Sequence, residues 1–174
     1  MAATFEFNED NGAATGSPAK GTTRNTAVTQ VNWKSVDDVA TAYTAASVNA
    51  GDNSFPKYQF GKFTGTFNQI SAGLWAHTAG TFGTGLTLYG AVTSTYATPS
   101  QSATAGLSDI SAVTAIASGA TVLFHTTGPE GATPTATLAA AGYTQYLVTQ
   151  ARTTGSASTG DSATMTLTLR YSEN

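Results

Sequence analysis

Tyr143-Thr144-Gln145-Tyr146-Leu147-Val148-Thr149-Gln150-Ala151-Arg152 and, after a polar gap, Thr164-Met165-Thr166-Leu167-Thr168-Leu169-Arg170-Tyr171 carry the clearest pattern in this 174-residue chain. In the second stretch Met165, Leu167, Leu169 and Tyr171 alternate with Thr164, Thr166, Thr168 and Arg170. In the first, Tyr143, Leu147 and Ala151 stand opposite Tyr146 and Val148. A period of two is that of a strand, whose successive side chains point to opposite faces. The polar run 153–162 between the stretches then predicts a long-looped antiparallel hairpin that closes a sheet.

Upstream, Leu86-Thr87-Leu88-Tyr89-Gly90-Ala91-Val92 repeats the alternation, with Leu86, Leu88 and Val92 on one face. Ile110, Val113 and Ile116 are weakly patterned beyond the polar loop 97–109, and Val122-Leu123-Phe124 reads as a short buried strand before a turn at Gly128-Pro129-Glu130-Gly131. Tyr58, Phe60, Phe63, Phe67, Leu74 and Trp75 form the densest aromatic segment, interrupted by Gly61 and Gly65, which suggest close backbone approach. Thr4-Phe5-Glu6-Phe7 starts a strand with both rings on one face, and Asn8-Glu9-Asp10-Asn11-Gly12 ends it in a turn, Asn-Gly favouring positive φ. Residues 12–26 hold almost no large apolar side chain and read as a loop or arm. Val28, Val31, Trp33 and Val36 mark a second strand region ending at Asp37-Asp38, with residues 44–57 as a further connection. The best helix candidate, Ala136 to Ala141, is short and stopped by Gly142. Seven to nine strands separated by turns predict an all-β antiparallel sandwich, immunoglobulin-like or jelly-roll-like, in which residues 1–27 form a strand and flexible arm and residues 28–174 the domain. Leu138, Gly142 and Tyr146 resemble the corner before the penultimate strand of immunoglobulin-like domains.

Composition narrows the function. Thr (33), Ala (30), Gly (18) and Ser (15) make up more than half of the chain, whereas charged residues are 10 % and the net charge is −3. Val, Leu, Ile and Phe are scarce, but 17 aromatics run along the whole length, which argues for an ordered domain with a thin core. Seven scattered Lys and Arg offer no basic patch for nucleic acid. No apolar run is long enough to span a membrane, and Met1-Ala2-Ala3-Thr4-Phe5-Glu6 lacks the features of a signal peptide. Without cysteine there is neither a disulfide scaffold nor a thiolate-ligated metal.

Catalytic patterns are equally sparse. His77 and His125 lie in separate regions and read as hydrogen-bonded packing residues rather than ligands or bases. Gly80, Gly83 and Gly85 do not match the dinucleotide fingerprint and read as a tight connection. The pairs Glu9-Asp10 and Asp37-Asp38 lack the spacing of a calcium loop and read as solvated turn acids. The rings Tyr58, Phe60, Phe63, Phe67 and Trp75 could stack on a sugar, but a chain this poor in aliphatics needs them for its core. We expect no enzyme and no cofactor or metal.

The opening Ala3-Thr4-Phe5-Glu6-Phe7-Asn8-Glu9-Asp10-Asn11-Gly12, the central Tyr58-Gln59-Phe60-Gly61-Lys62-Phe63-Thr64-Gly65-Thr66-Phe67-Asn68, Leu74-Trp75-Ala76-His77-Thr78 and the closing Thr166 to Asn174 resemble small virion proteins of tailed bacteriophages. The resemblance implies a non-catalytic surface component of the virion, made in the host cytoplasm and displayed in many copies. The leading expectation is a capsid decoration or cement protein, forming a homo-oligomer and contacting the major capsid protein or other virion proteins. Phe5, Phe7, Lys20, Arg24, Trp33 and Trp75 are its candidate interaction residues. The alternatives are a tail-tube or fibre-associated subunit, a carbohydrate-binding sandwich using Trp33, Trp75 or Tyr89, and a self-assembling extracellular filament subunit.

Overall fold

The computed structural model describes residues 2–78, 82–112, 115–158 and 165–174, with backbone alone over 117–121. The strands are β1 (Ala3–Thr15), β2 (Lys20–Asn25), β3 (Lys57–Gly65), β4 (Ile70–His77), β5 (Leu86–Thr93), β6 (Ser108–Asp109), β7 (Ala115–Val122), β8 (Phe124–His125), β9 (Gly142–Thr144), β10 (Tyr146–Thr153) and β11 (Leu167–Glu173). A single 3-10 turn, Tyr43–Ala45, is the one helical element among the described residues. The larger sheet runs β2-β1-β3-β10-β5-β6, with β9 also pairing β3 and β8 pairing β9. The smaller is β11-β4-β7. Every pairing is antiparallel, and the two sheets pack together as an all-β sandwich.

Rings fill the space between the sheets. Phe63, Phe67, Ile70, Trp75, Val122, Phe124, Leu138, Leu147 and Leu169 form the buried cluster, with Phe5, Phe7 and Tyr171 packed against it. Phe5 meets Phe7 edge-on at 4.8 Å, Phe63 meets Tyr171 edge-on at 4.8 Å, and Phe7 lies 5.6 Å from Trp75. The larger sheet also buries its other face, under a second cluster of Tyr58, Phe60, Tyr96, Tyr146 and Val148. Tyr146 stands perpendicular to both Tyr58 and Phe60. Edge-to-face pairs add to the burial of area itself, so few aliphatics suffice. Close packing explains one interior glycine: a Cβ on Gly61, which pairs with Phe7, would sit 2.5 Å from the Phe5 ring.

Four expectations are corrected. The two C-terminal stretches are strands but not a hairpin. Residues Tyr146 to Ala151 are buried on both faces, so β10 needs a partner on each side and takes β3 and β5. By contrast β11, with one half-exposed face, pairs β4 in the other sheet from Leu167↔His77 to Glu173↔Ile70. Residues 12–26 are no loose arm: β1 runs on through Asn8–Asn11 to Thr15 and β2 returns beside it, from Thr15↔Lys20 to Glu9↔Asn25. The strand expected around Val28–Val36 is absent; 26–56 is an irregular strap that meets the sheet at the bridge Asn53↔Arg152 and where the Val28 amide donates to the Phe7 carbonyl at 2.8 Å. Ala136–Ala141 forms no helix; Leu138 bridges Ile70 instead, because the core needs that leucine between the sheets. The Gly80 end of the tight connection, Val113 and the end of the 153–162 loop lie outside the described residues.

Candidate functional site

Continuing β1 past Phe7 carries Asn8, Glu9, Asp10 and Asn11 into the middle of the sheet, where each is at most 3 % exposed. Glu9 and Asp10, which read as solvated turn acids in the sequence, are the least solvated carboxylates among the described residues. Strand alternation sends Glu9 and Asn11 to the Phe5/Phe7 face, Asn8 and Asp10 to the other. Buried charges persist only when paired and hydrogen-bonded, and both faces meet that condition.

On the Asp10 face β2 supplies the cation. Arg24, directly opposite Asp10, donates from Nε and Nη2 to its two carboxylate oxygens, both at 2.8 Å. The same Nη2 reaches Glu130 Oε2 at 3.1 Å, and the guanidinium lies over the Phe60 ring at 4.8 Å. Tyr146 donates its hydroxyl to Asp10 Oδ2 at 2.5 Å. Burial opposes the Arg24 charge, yet the bond and charge of Asp10, helped by Glu130, outweigh it and hold the guanidinium more firmly protonated than usual. Burial and then the Asp10 contact push the Tyr146 hydroxyl upward, keeping it a donor. Bidentate pairing of this kind fixes orientation as well as energy.

On the opposite face Glu9 is the centre. Its Oε1 accepts from Lys57 Nζ at 3.2 Å and Asn11 Nδ2 at 2.9 Å, and Oε2 accepts from Gln59 at 3.3 Å. The strap 26–56 closes over this group. Lys57 Nζ also donates to the Asp38 carbonyl at 3.1 Å. Asp37 accepts from Asn11 Nδ2 at 2.8 Å and from the Gly12 amide at 2.6 Å. Lys34, itself buried, donates to Asp38 Oδ1 and to the Thr41 carbonyl. Donation from Thr41, then from Lys34, holds the Asp38 carboxyl well below the usual carboxylate range.

The hairpin β1–β2 is thus fixed on two sides. Tyr96 adds a bond from its hydroxyl to the Gly12 carbonyl at 2.7 Å, and a Cβ on Gly21 would lie 2.6 Å from the Asn11 carbonyl oxygen. Among the described residues the outer side of β2 has no strand partner, and Lys20, Thr22 and Thr23 are exposed along it. Beside the hairpin turn lies a shallow cleft of about 280 Å³, bounded by Pro18, Ala19, Ser94, Tyr96 and Glu130.

Of the interaction residues expected from sequence, Lys20 and Arg24 fall on this edge strand, Lys20 exposed and Arg24 turned inward to its carboxylates. Phe5 and Phe7 are half-buried against the inter-sheet core. Trp75 is fully buried, with no surface to offer a partner, and its Nε1 finds no acceptor among the described residues. Trp33 is half-buried and donates to Thr149 Oγ1, while Tyr89 lies under the Arg152 guanidinium at 4.0 Å, so these rings do not form an open stacking platform. Sequence reasoning missed Glu9, Asp10, Lys34, Lys57 and Glu130. For Glu9 and Asp10 the signal is that the polar run 8–11 continues the alternation of Phe5 and Phe7 with no proline to stop it; nothing local marks Lys34, Lys57 or Glu130. Both histidines are buried and hydrogen-bonded: His77 between the carbonyls of Thr78 and Ile110, His125 through Nε2 to Ser94 Oγ at 3.0 Å.

In comparison with known proteins, no family model matches the chain, and no curated protein or solved structure shows significant similarity to it.

Two predictions test the site. Arg24→Ala leaves Asp10 and Glu130 buried without their cation, and equilibrium urea unfolding should show a loss of about 3–5 kcal/mol; a loss below about 1 kcal/mol would contradict the clamp. His125 is held below its ordinary 6.5, first by burial, with Glu130 opposing. Its unfolded form therefore binds the proton more readily, so stability is complete above pH 6.5 and falls as the pH drops toward the folded value. His125→Gln should flatten that slope, which is at most about 1.4 kcal/mol per pH unit; unfolding curves at about pH 7.5 and 5.5 for both proteins, on either side of the ordinary histidine value, read it directly.

Proposed function

We propose that the chain is a non-catalytic structural subunit of a virion, a capsid decoration or cement protein bound to the outer shell in many copies. The observation that supports this reading best is the open edge of β2, presented by a hairpin that buried charges hold in place. An edge strand of this kind accepts a strand from a neighbouring chain, with backbone hydrogen bonds giving affinity. Each such bond contributes about 0.5–1.5 kcal/mol, so one hairpin gives weak binding. Symmetric copies on a shell multiply it. Binding that engages only the expanded shell stabilises that state by linkage. The Thr-, Ser- and Gly-rich composition and the resemblance of the Phe5 and Tyr58–Asn68 segments to phage virion proteins point the same way.

Deleting residues 1–27 would remove β1, which pairs with β3 over eight positions, and so would unfold the sheet rather than test the edge. A charge placed on the exposed strand is the cleaner perturbation, since an added lysine is a common guard against edge pairing. Cosedimentation with expanded capsids should show saturable binding of the full chain, and Thr23→Lys should weaken it tenfold or more with an unchanged unfolding midpoint. Light scattering on the protein alone decides the rivals. Rings or filaments formed without a shell would overturn the cement reading in favour of a tube, fibre or filament subunit. A protein that ignores capsids would overturn it as well.

A further inference from the structure

Lys57 and Asn11 meet on the same oxygen of Glu9 in a buried cluster. We propose that Lys57 and Asn11 become joined by an intramolecular isopeptide bond, formed with Glu9 as the proton carrier.

Three observations carry this. First, the register Glu9↔Gln59, Asp10↔Tyr58, continued by one residue, places Asn11 opposite Lys57 on adjacent strands, and both lie on the face of Glu9. Directly opposed residues have Cβ atoms about 4.5–5.5 Å apart, within reach of an amide linkage. Second, one oxygen, Glu9 Oε1, contacts both reacting groups: Lys57 Nζ at 3.2 Å and Asn11 Nδ2 at 2.9 Å. Third, the Asn11 amide is held at both ends. Asn25 Nδ2 donates to its Oδ1 at 2.7 Å, where negative charge would develop on attack. Its nitrogen donates to Glu9 Oε1 and Asp37 Oδ1, two carboxylates that favour its protonation as the Cγ–Nδ2 bond breaks. Lys57, Glu9 and Asn11 are at most 3 % exposed, so water does not compete with the amine. Lys34, the other buried lysine, donates to Asp38 and the Thr41 carbonyl and touches no side-chain amide among the described residues.

The step balances without any co-reactant. A proton passes from the Lys57 ammonium to Glu9, leaving a neutral amine. The Nζ lone pair attacks Asn11 Cγ, the Nζ–Cγ bond forms, and the carbonyl electron pair moves onto Oδ1 beneath Asn25. Glu9 passes its proton to Nδ2 and takes one from Nζ. The carbonyl re-forms, the Cγ–Nδ2 bond breaks, ammonia leaves, and Glu9 keeps the proton from Nζ, so no buried carboxylate is left without a cation. Nothing is oxidised or reduced, so a cysteine-free chain gains a covalent tie between β1 and β3 in a reducing compartment.

Intact mass measurement of the purified full chain should find it lighter by one ammonia, about 17 Da. Because trypsin does not cut after an acylated lysine, digestion should give a branched peptide joining residues 1–20 to 35–62. Glu9→Gln should keep the full sequence mass with the far-ultraviolet dichroism of the wild type. Ring closure of Asn11 onto the Gly12 amide would release the same mass, so Lys57→Arg is the deciding variant. It should keep the full mass, and a Lys57→Arg protein that still loses ammonia would overturn the proposal. So would a folded wild type that holds its full mass on prolonged incubation. Both results are independent of whether the protein binds a shell.

Discussion

An ionised carboxylate without water must be met by a cation and by hydrogen-bond donors, and Asp10 at the centre of β1 imposes that condition on everything around it. Arg24 has to come from β2, which brings the chain back beside β1 instead of leaving it in solvent. Tyr146 has to turn its hydroxyl inward from β10, and Glu130 has to close over the same guanidinium. One residue back, Glu9 places the same demand on the opposite face, and Lys57 answers it with Asn11 and Gln59 as further donors. A sheet buried on both sides has its hairpin fixed by charge on both sides.

That arrangement suits a chain with few aliphatic residues. Buried ion pairs are often no better for stability than packed hydrophobic residues of similar volume, but removing one partner is costly. Their effect here is specificity of register. A one-residue slip of β1 against β3 would put Asp10 on the Trp75 face and Phe7 on the Arg24 face, exchanging the rings and the carboxylates. Aromatic edge contacts supply the bulk of the core, and the two carboxylate centres select a single pairing among strands rich in threonine and alanine.

The all-β class is legible in the sequence because period-two patterning is a local signal: it marks β5 and β11 nearly whole and places β10 correctly. Partnership is not local. The alternation in 143–152 and 165–171 looks the same whether the two strands pair with each other or lie in different sheets; burial on one face or on two decides, and that depends on what covers them. The acidic run 8–11 misleads for a related reason. Asn, Asp and Gly favour turns when solvated, and the cations that overrule the preference are Arg24, close by in sequence, and Lys57, distant from it. Trp33 and Val36 carry a strand signal, but their segment serves as a cover over Glu9 rather than as part of the ladder.

Strands β1 and β2 are thus a locked hairpin, where residues 12–26 read in the sequence as a loop or arm. Native-state hydrogen exchange on the full chain tests this most directly, because amides open at a free energy set by local or global unfolding. In a locked hairpin the amides of residues 8–11 and 22–25 exchange as slowly as those of β3 and β10. Arg24→Ala then speeds them far more than it speeds the amides of β4 and β11. Exchange of the hairpin at the rate of the exposed loop residues Ser102, Ala103, Ala105 and Gly106, in a protein whose β3 and β10 stay protected, would contradict the lock.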